Sequence, residues 1–250
     1  MLLAHALGCE REYLYAHPEQ ELTAVEQLHF GRYLYERQAG RPTQYITGRQ
    51  EFYGRVFRVT PAVLIPRPET ELVVEAALRN AAGAGRILDV GAGSGCLAIT
   101  LKKEWPQAQV FASDISPAAL AVAEDNARRL EAVVGFFCAD MLESCRPGRL
   151  DLIVSNPPYV PQEEMAGLPR EVREHEPAVA LFGGPRGMEF YGRLLSSAAR
   201  ALVPGGWLIV ELSYNGRAQV EALAGSDWSS RIVEQDLAGF DRVMALRKIG

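Results

Sequence analysis

The sequence has little of what redox and metal chemistry needs. Its 250 residues include four cysteines and four histidines. Cys9, Cys96, Cys138 and Cys145 show no CxxC spacing and no disulfide framework, and His5, His17, His29 and His175 show no HExxH pattern. A zinc site and a disulfide scaffold are both disfavoured, and Cys96 and Cys138, set in apolar stretches, are expected as reduced core residues. No run of like charge stands out and the net charge is −5, so there is no electrostatic footprint for a nucleic-acid backbone. No segment reaches the ~20 apolar residues of a membrane span, and the N-terminus lacks a signal peptide's basic start and long apolar stretch. Repeats and low-complexity tracts are missing too. With 48% hydrophobic and 23% charged residues, the expectation is a cytoplasmic protein with no metal and a well-buried core.

What is present falls into three parts. Met1 to about Gln38 reads as short amphipathic helices, with Leu22, Val25, Leu28 and Leu34 near one face. The stretch "QYITGRQEFYGRVFRVT" predicts a small β-hairpin around Gly48 and Gly54. In "PAVLIPRPETELVVE" prolines rigidify the chain before a helix that starts near Pro68, with Glu69 and Glu71 at its positive end. From Arg86 onward strands and helices alternate, which predicts an α/β fold with a mostly parallel sheet covered on both faces. "RIVEQD" and "RVMALRK" follow each other with no helix between, predicting an antiparallel hairpin at one edge.

The first candidate site is "LDVGAGSG", strand then glycine loop then helix. Gly91, Gly93 and Gly95 permit a tight turn and close approach of a ligand beside a helix N-terminus, with Ala92 and Ser94 between them. A bare tight turn is the competing explanation. The spacing is GxGxG, and Cys96 stands where the dinucleotide fingerprint wants a small residue. Asp114 ends the next strand, about 20 residues on, where a ribose diol is held; Ser116 is the better cap for the helix at Pro117. Asp89, polar inside a buried strand, can hold the loop or a cofactor's amino group. Asp140 can accept from an adenine amino group while Met141 packs on the ring. A glycine loop and two acids at successive strand ends describe a nucleoside site without a phosphate clamp. S-adenosylmethionine fits that better than a dinucleotide.

The second is "NPPY", Asn156, Pro157, Pro158 and Tyr159, at the end of the fourth strand of the alternating region. Asn and Pro also favour ordinary turns. At this point of a doubly wound sheet the strand end borders the ligand crevice. A planar –NH₂ is a poor nucleophile because its lone pair is delocalised. Two acceptors can hold its hydrogens and aim the lone pair at a methyl donor. The Asn156 side-chain oxygen and the Pro157 carbonyl can supply them, with Pro158 stiffening the turn and Tyr159 stacking on the plane. Asn156, Pro157 and Tyr159 are the candidate catalytic set, all four residues are the candidate substrate-binding set, and Asn156 also borders the cofactor.

Together these motifs resemble the S-adenosylmethionine-dependent release-factor glutamine methyltransferases of the HemK type. "LIPRPETELVVE" (Leu64 to Glu75) and "HEPAVALFGG" (His175 to Gly184) are similar to stretches particular to that family. The resemblance implies a class I methyltransferase sheet over 63–250, a linking hairpin over 43–62 and a helical substrate-recognition domain over 1–42. It implies methylation of the side-chain nitrogen of the Gln in the Gly-Gly-Gln tripeptide of bacterial class-1 peptide release factors, with S-adenosylhomocysteine as product. A monomer acting on protein, with no direct nucleic-acid contact and no membrane, is expected. Three positions depart from the family pattern. The helical region reads about one helix short, which implies an alternative start; Arg186 replaces an acid before Gly187; and Ser213 replaces a glycine.

The clamp logic serves other planar nitrogens equally well: adenine in DNA, guanine in RNA, or a ribosomal-protein glutamine. A non-catalytic protein on the same fold would leave the clamp dispensable. Arg67 and Glu69 are balanced between a surface ion pair and a lid over the cofactor. Glu163, Glu164, Glu171, Glu174 and Glu176 are expected as a solvated loop face.

Overall fold

The computed structural model describes residues 1–143 and 145–250. Three helices lead the chain: α1 (Leu2–Leu7), α2 (Arg11–Ala16) and α3 (Ala24–Gln38). A reciprocal cap starts α3. Thr23 Oγ1 accepts from the Glu26 backbone N–H at 3.3 Å, and Glu26 Oε2 accepts from the Thr23 N–H at 2.7 Å. The expected apolar stripe does not pack inward. Val25, Leu28 and Leu34 are exposed, while the half-buried positions are Glu26, Phe30, Tyr33 and Glu36. Aromatic packing goes with this orientation: Tyr33 lies 5.1 Å from the His5 ring of α1, and the two short helices before α3 cannot cover both of its faces.

The predicted hairpin begins later than expected. Thr43–Thr47 forms a short helix, α4, which ends at Gly48 in the left-handed region. The hairpin itself is β1 (Arg49–Phe52) paired antiparallel with β2 (Arg55–Arg58). Its inner residues, Phe52 and Phe57, are fully buried and meet edge to face at 6.0 Å. Asn126, from a later helix, ties the hairpin down. Its Oδ1 accepts from Arg58 N–H at 2.7 Å, and its Nδ2 donates to the carbonyls of Arg58 and Ser94, both at 2.9 Å. One buried amide thus joins the hairpin to the glycine loop.

A 3₁₀ turn at Pro68–Thr70 leads into α5 (Glu71–Asn80). The sheet then grows through β3 (Arg86–Val90), α6 (Cys96–Glu104), β4 (Gln109–Asp114), α7 (Pro117–Arg129), β5 (Val134–Cys138) and β6 (Leu150–Ser155). A 3₁₀ turn at Met165–Gly167 and two short helices, α8 (Arg170–His175) and α9 (Ala178–Leu181), precede α10 (Glu189–Ala201). The chain closes with β7 (Leu202–Glu211), α11 (Arg217–Leu223), β8 (Trp228–Gln235) and β9 (Asp241–Lys248). The strand order is β5-β4-β3-β6-β7-β9-β8, parallel from β5 to β7 and antiparallel at β7-β9 and β9-β8. This is the α/β sheet with an antiparallel edge expected from the alternation.

Period-two alternation divides the core. Ile87, Val110, Leu152, Val154 and Ile209 face one layer with α5 and α6, while Leu88, Val90, Ile153, Leu208 and Val210 face the other with α10 and α11. Because β5 is an edge strand its end is open, and Cys138, expected in the core, is exposed. The strand order reverses between β3 and β6, which are bridged where they end: Ser155 Oγ donates to the Val90 carbonyl at 2.7 Å. That reversal opens a crevice at the carboxyl ends of both strands.

Replacing Asn126 with Ala strands the Arg58 N–H and two carbonyls. Asn126→Ala is expected to lower the unfolding free energy by about 2–3 kcal/mol, read from the urea midpoint. A loss below about 0.5 kcal/mol would contradict the role given to this amide.

Candidate active site

The glycine loop folds back on β4. Gly91 and Ala92 N–H both donate to the Ser113 carbonyl at 2.9 Å. Asp114, at the end of β4, holds the loop with one carboxylate oxygen and its own turn with the other. Oδ2 accepts from Gly93 N–H and Oδ1 from Ser116 N–H, each at 2.9 Å. Each oxygen keeps a second acceptor direction free. Ser116 caps α7 through Ala119 N–H, as its sequence position suggested. Gly95 has φ +80°, and a Cβ there would lie 3.0 Å from Ile99 Cδ1 and 3.1 Å from Ala123 Cβ. Only glycine therefore lets α6 start this close to α7.

A cavity of about 270 Å³ lies above this loop. Gly91, Ala92, Gly93, Ser94, Asp114, Asp140, Met141 and Asn156 all border it, so most of the predicted cofactor set comes together. Asp89 and Gly95 stand behind the loop instead. Asp89 is buried and its Oδ2 accepts from Ala98 N–H at 3.1 Å, while Oδ1 has no partner among the described residues. Burial raises its carboxyl to about 7. Ser94 Oγ is likewise buried without a partner. Asp140 is paired with Arg193 of α10 at 2.6 Å. Arg193 is the one cation among the described lining residues, and that pairing leaves no free positive cradle for a phosphate. Ile115, Phe182, Phe190 and Arg193 border the cavity and escaped sequence reasoning. The available signal was weak: Phe190 and Arg193 stand three apart on one helix face.

A second cavity, of about 160 Å³, is bordered by Arg67, Asn156, Pro157, Tyr159, Val160 and Leu181 among others. Asn156 lines both cavities. Pro158 borders the first, and Pro157 and Tyr159 the second, so the four NPPY residues form the partition between them. The Asn156 amide is tied on one side only. Its Nδ2 donates to Thr70 Oγ1 at 3.1 Å, and that hydroxyl donates to Glu211 Oε2 at 2.6 Å. No described residue donates to Asn156 Oδ1 or to the Pro157 carbonyl. Both oxygens are therefore available to an incoming N–H. Burial raises the Tyr159 hydroxyl to about 12, so it stays protonated and forms a wall rather than a base.

The HEPAVALFGG stretch backs this partition. Val160 N–H donates to the Leu181 carbonyl and Gly183 N–H to the Val160 carbonyl, both at 2.9 Å. A Cβ on Gly183 would lie 2.7 Å from the Pro158 carbonyl oxygen, so a larger residue would push the clamp out of place. Glu176, expected on a solvated face, is buried. It accepts from Ile65 N–H at 3.1 Å and pairs with Arg67, stitching the PRPET segment to the loop behind the clamp. Glu171 and Glu174 do stay near solvent, paired with Arg37 and Arg170 respectively. Of the departures noted in the sequence, Arg186 pairs with Glu189 at 3.2 Å, and Ser213 is buried at the turn after β7. Among the described residues no group of His, Cys, Asp and Glu is placed to hold a metal, and no helix is long and apolar enough to cross a membrane.

Comparison with known proteins agrees with this geometry. Residues 68–169 match the methyltransferase small domain family and residues 1–48 the PrmC N-terminal domain family. A solved methyltransferase from Pyrococcus furiosus shares the fold at a TM-score of 0.60 with 17% identity, over 90% of this chain and 100% of that one. A 16S rRNA N2 G1207 methyltransferase from T. thermophilus, solved with AdoMet and guanosine, gives a TM-score of 0.60 with 20% identity, over 80% of this chain and 49% of that one. The release factor glutamine methyltransferase of Koribacter versatilis is 49% identical over 99% of this chain and 89% of its own length. That of Geobacter sulfurreducens is 46% identical over 98% of this chain and 87% of its own length. At such identity over nearly the whole chain, this protein belongs to the release factor glutamine methyltransferase family.

Proposed function

We propose that this chain methylates the side-chain amide nitrogen of the Gly-Gly-Gln glutamine in bacterial class-1 release factors, using S-adenosylmethionine. The observation that carries this is the place of Asn156. It stands between a nucleoside-sized cavity and a smaller one, with its donor side tied off and its acceptor side open. A primary carboxamide offers two N–H groups and a flat face, which match Asn156 Oδ1, the Pro157 carbonyl and the Tyr159 ring.

The cofactor fits the first cavity on its chemistry. Asp114 can take ribose hydroxyls, and the Asp140–Met141 corner suits an adenine edge and face. Ser94 borders the cavity where a charged amino-acid end would lie, while Asp89, buried behind the loop, supports the start of α6 through Ala98 N–H. When bound, S-adenosylmethionine supplies an electrophilic methyl group. The chain's own part is positioning: Asn156 and Pro157 hold both amide hydrogens, so the nitrogen lone pair points across the partition. Pro158 and Gly183 keep that turn from moving. No base is needed before transfer, because the surplus proton becomes acidic only once the nitrogen has been alkylated.

A protein target is favoured over a nucleic acid. The net charge is −5, and the arginines nearest the cavities, Arg67 and Arg193, are paired with carboxylates. We assign 1–42 to recognition of the release factor, 43–62 to the linking hairpin and 63–250 to catalysis, working as a monomer. Exposed Val25, Leu28, Leu34 and Tyr35 on α3 give the first unit an apolar surface for a protein partner.

Asn156→Ala is expected to retain S-adenosylmethionine binding while losing about 1–3 kcal/mol of transition-state stabilisation, about tenfold to several-hundredfold in turnover. Labelled-methyl transfer to a purified release factor, with DNA and RNA offered in parallel, measures this. Wild-type turnover in the variant would remove Asn156 from the catalytic clamp, and no transfer by the wild type itself would indicate a non-catalytic protein on this fold. Asp114→Ala is expected to weaken S-adenosylmethionine binding on the order of tenfold or more by calorimetry. An unchanged dissociation constant would remove Asp114 from the ribose site.

A further inference from the structure

We propose that Thr70 and Glu211 are positioning residues that fix the polarity of the Asn156 amide, so that its oxygen and not its nitrogen meets the substrate. The proposal rests on the function given above, in which Asn156 accepts from the glutamine amide.

Three elements far apart in the chain converge here. Thr70 closes the 3₁₀ turn before α5, Asn156 follows β6, and Glu211 ends β7. The bonds run Asn156 Nδ2 to Thr70 Oγ1 at 3.1 Å, then Thr70 Oγ1 to Glu211 Oε2 at 2.6 Å. A threonine hydroxyl has one proton. While Glu211 is ionised it can only accept, so it takes that proton. Thr70 then has only lone pairs to offer and can only accept from Asn156. The amide must turn its nitrogen toward Thr70, which leaves Oδ1 facing the site. A flipped amide would set its oxygen against a lone pair, and its –NH₂ against the N–H groups of the incoming glutamine.

Protonation of Glu211 removes this constraint. A neutral Glu211 can donate to Thr70, and the Thr70 proton is then free to bond Asn156 Oδ1, which favours the flipped amide. Several charged or titratable groups face Glu211: Glu69 and Arg67 from the PRPET segment, Arg242 from β9, Tyr159 beyond β6, Tyr191 from α10 and Cys96 from α6. Burial is the largest influence and raises Glu211 to about 7. Glu69 acts in the same direction, while the Thr70 bond and the charges of Arg242 and Arg67 act against it. The switch in amide polarity therefore falls within the range where methyl transfer can be assayed.

The test is steady-state methyl transfer to a purified release factor from about pH 6 to about pH 9, for the wild type, Thr70→Val, Thr70→Ser, Glu211→Gln and Asn156→Ala. In the wild type, kcat is expected to fall as pH drops through about 7. Glu211→Gln should lose this acidic limb, although buried Asp89, also raised to about 7, is untouched. Thr70→Val should lower kcat on the order of tenfold to a hundredfold with little change in KM for the release factor. Thr70→Ser, which keeps the hydroxyl, should restore it. An acidic limb that persists in Glu211→Gln, or wild-type kcat in a folded Thr70→Val, would overturn the proposal. If Thr70→Val does not fold, the Glu211→Gln profile decides alone. Failure of the underlying function reads differently: the wild type would transfer no methyl to the release factor, or Asn156→Ala would match it.

Discussion

A primary amide carries donors on one side and an acceptor on the other, and a half-turn about one bond exchanges them. In the function proposed above, the site depends on which side of Asn156 is spent inside the protein. The Thr70 hydroxyl takes the nitrogen, and a buried carboxylate takes the Thr70 proton. The fold places that short chain where the strand order reverses. β3 and β6 diverge above the Ser155–Val90 bond, and one side of the gap receives the glycine loop while the other receives the clamp.

Around that junction, backbone and side-chain polar groups brace the site. The clamp is held from behind by the Val160 and Gly183 hydrogen bonds, and Gly183 has no room for a side chain. Arg67 and Glu176 join the PRPET segment to the loop on the far side. Asn126 joins the hairpin to the glycine loop. The two halves of the site are thus braced independently, which suits a reaction whose main requirement is that two groups meet at one angle. The acids that border the nucleoside-sized cavity are themselves engaged, Asp114 with the loop and Asp140 with Arg193, so their directions are set in advance.

The strand ends were legible in the sequence and their connections were not. Alternation of strands with helices sets the sheet, and Gly91 to Gly95, Asp114, Asp140 and Asn156 each announce themselves by standing where an apolar run stops. The partners of those residues leave no local mark. Thr70 and Glu211 lie 141 residues apart, and a glutamate closing an apolar strand reads as a solvent-facing end. Glu176 sits in a stretch rich in acids and was expected in solvent, yet Ile65 and Arg67 claim it from 111 and 109 residues away. Periodicity on α3 correctly finds an apolar stripe, but a stripe does not say which face a neighbour covers, and here Phe30 and Tyr33 turn inward instead. Cys138 fails for a related reason: an apolar strand looks buried until its place at the sheet edge is known.

The most direct measurement is a crystal structure with S-adenosylhomocysteine and a peptide containing Gly-Gly-Gln. The glutamine side chain should enter the smaller cavity with its amide nitrogen about 3 Å from both Asn156 Oδ1 and the Pro157 carbonyl, while Asn156 Nδ2 stays on Thr70. A glutamine seated elsewhere, or an Asn156 that presents its nitrogen to the ligand, would contradict the account.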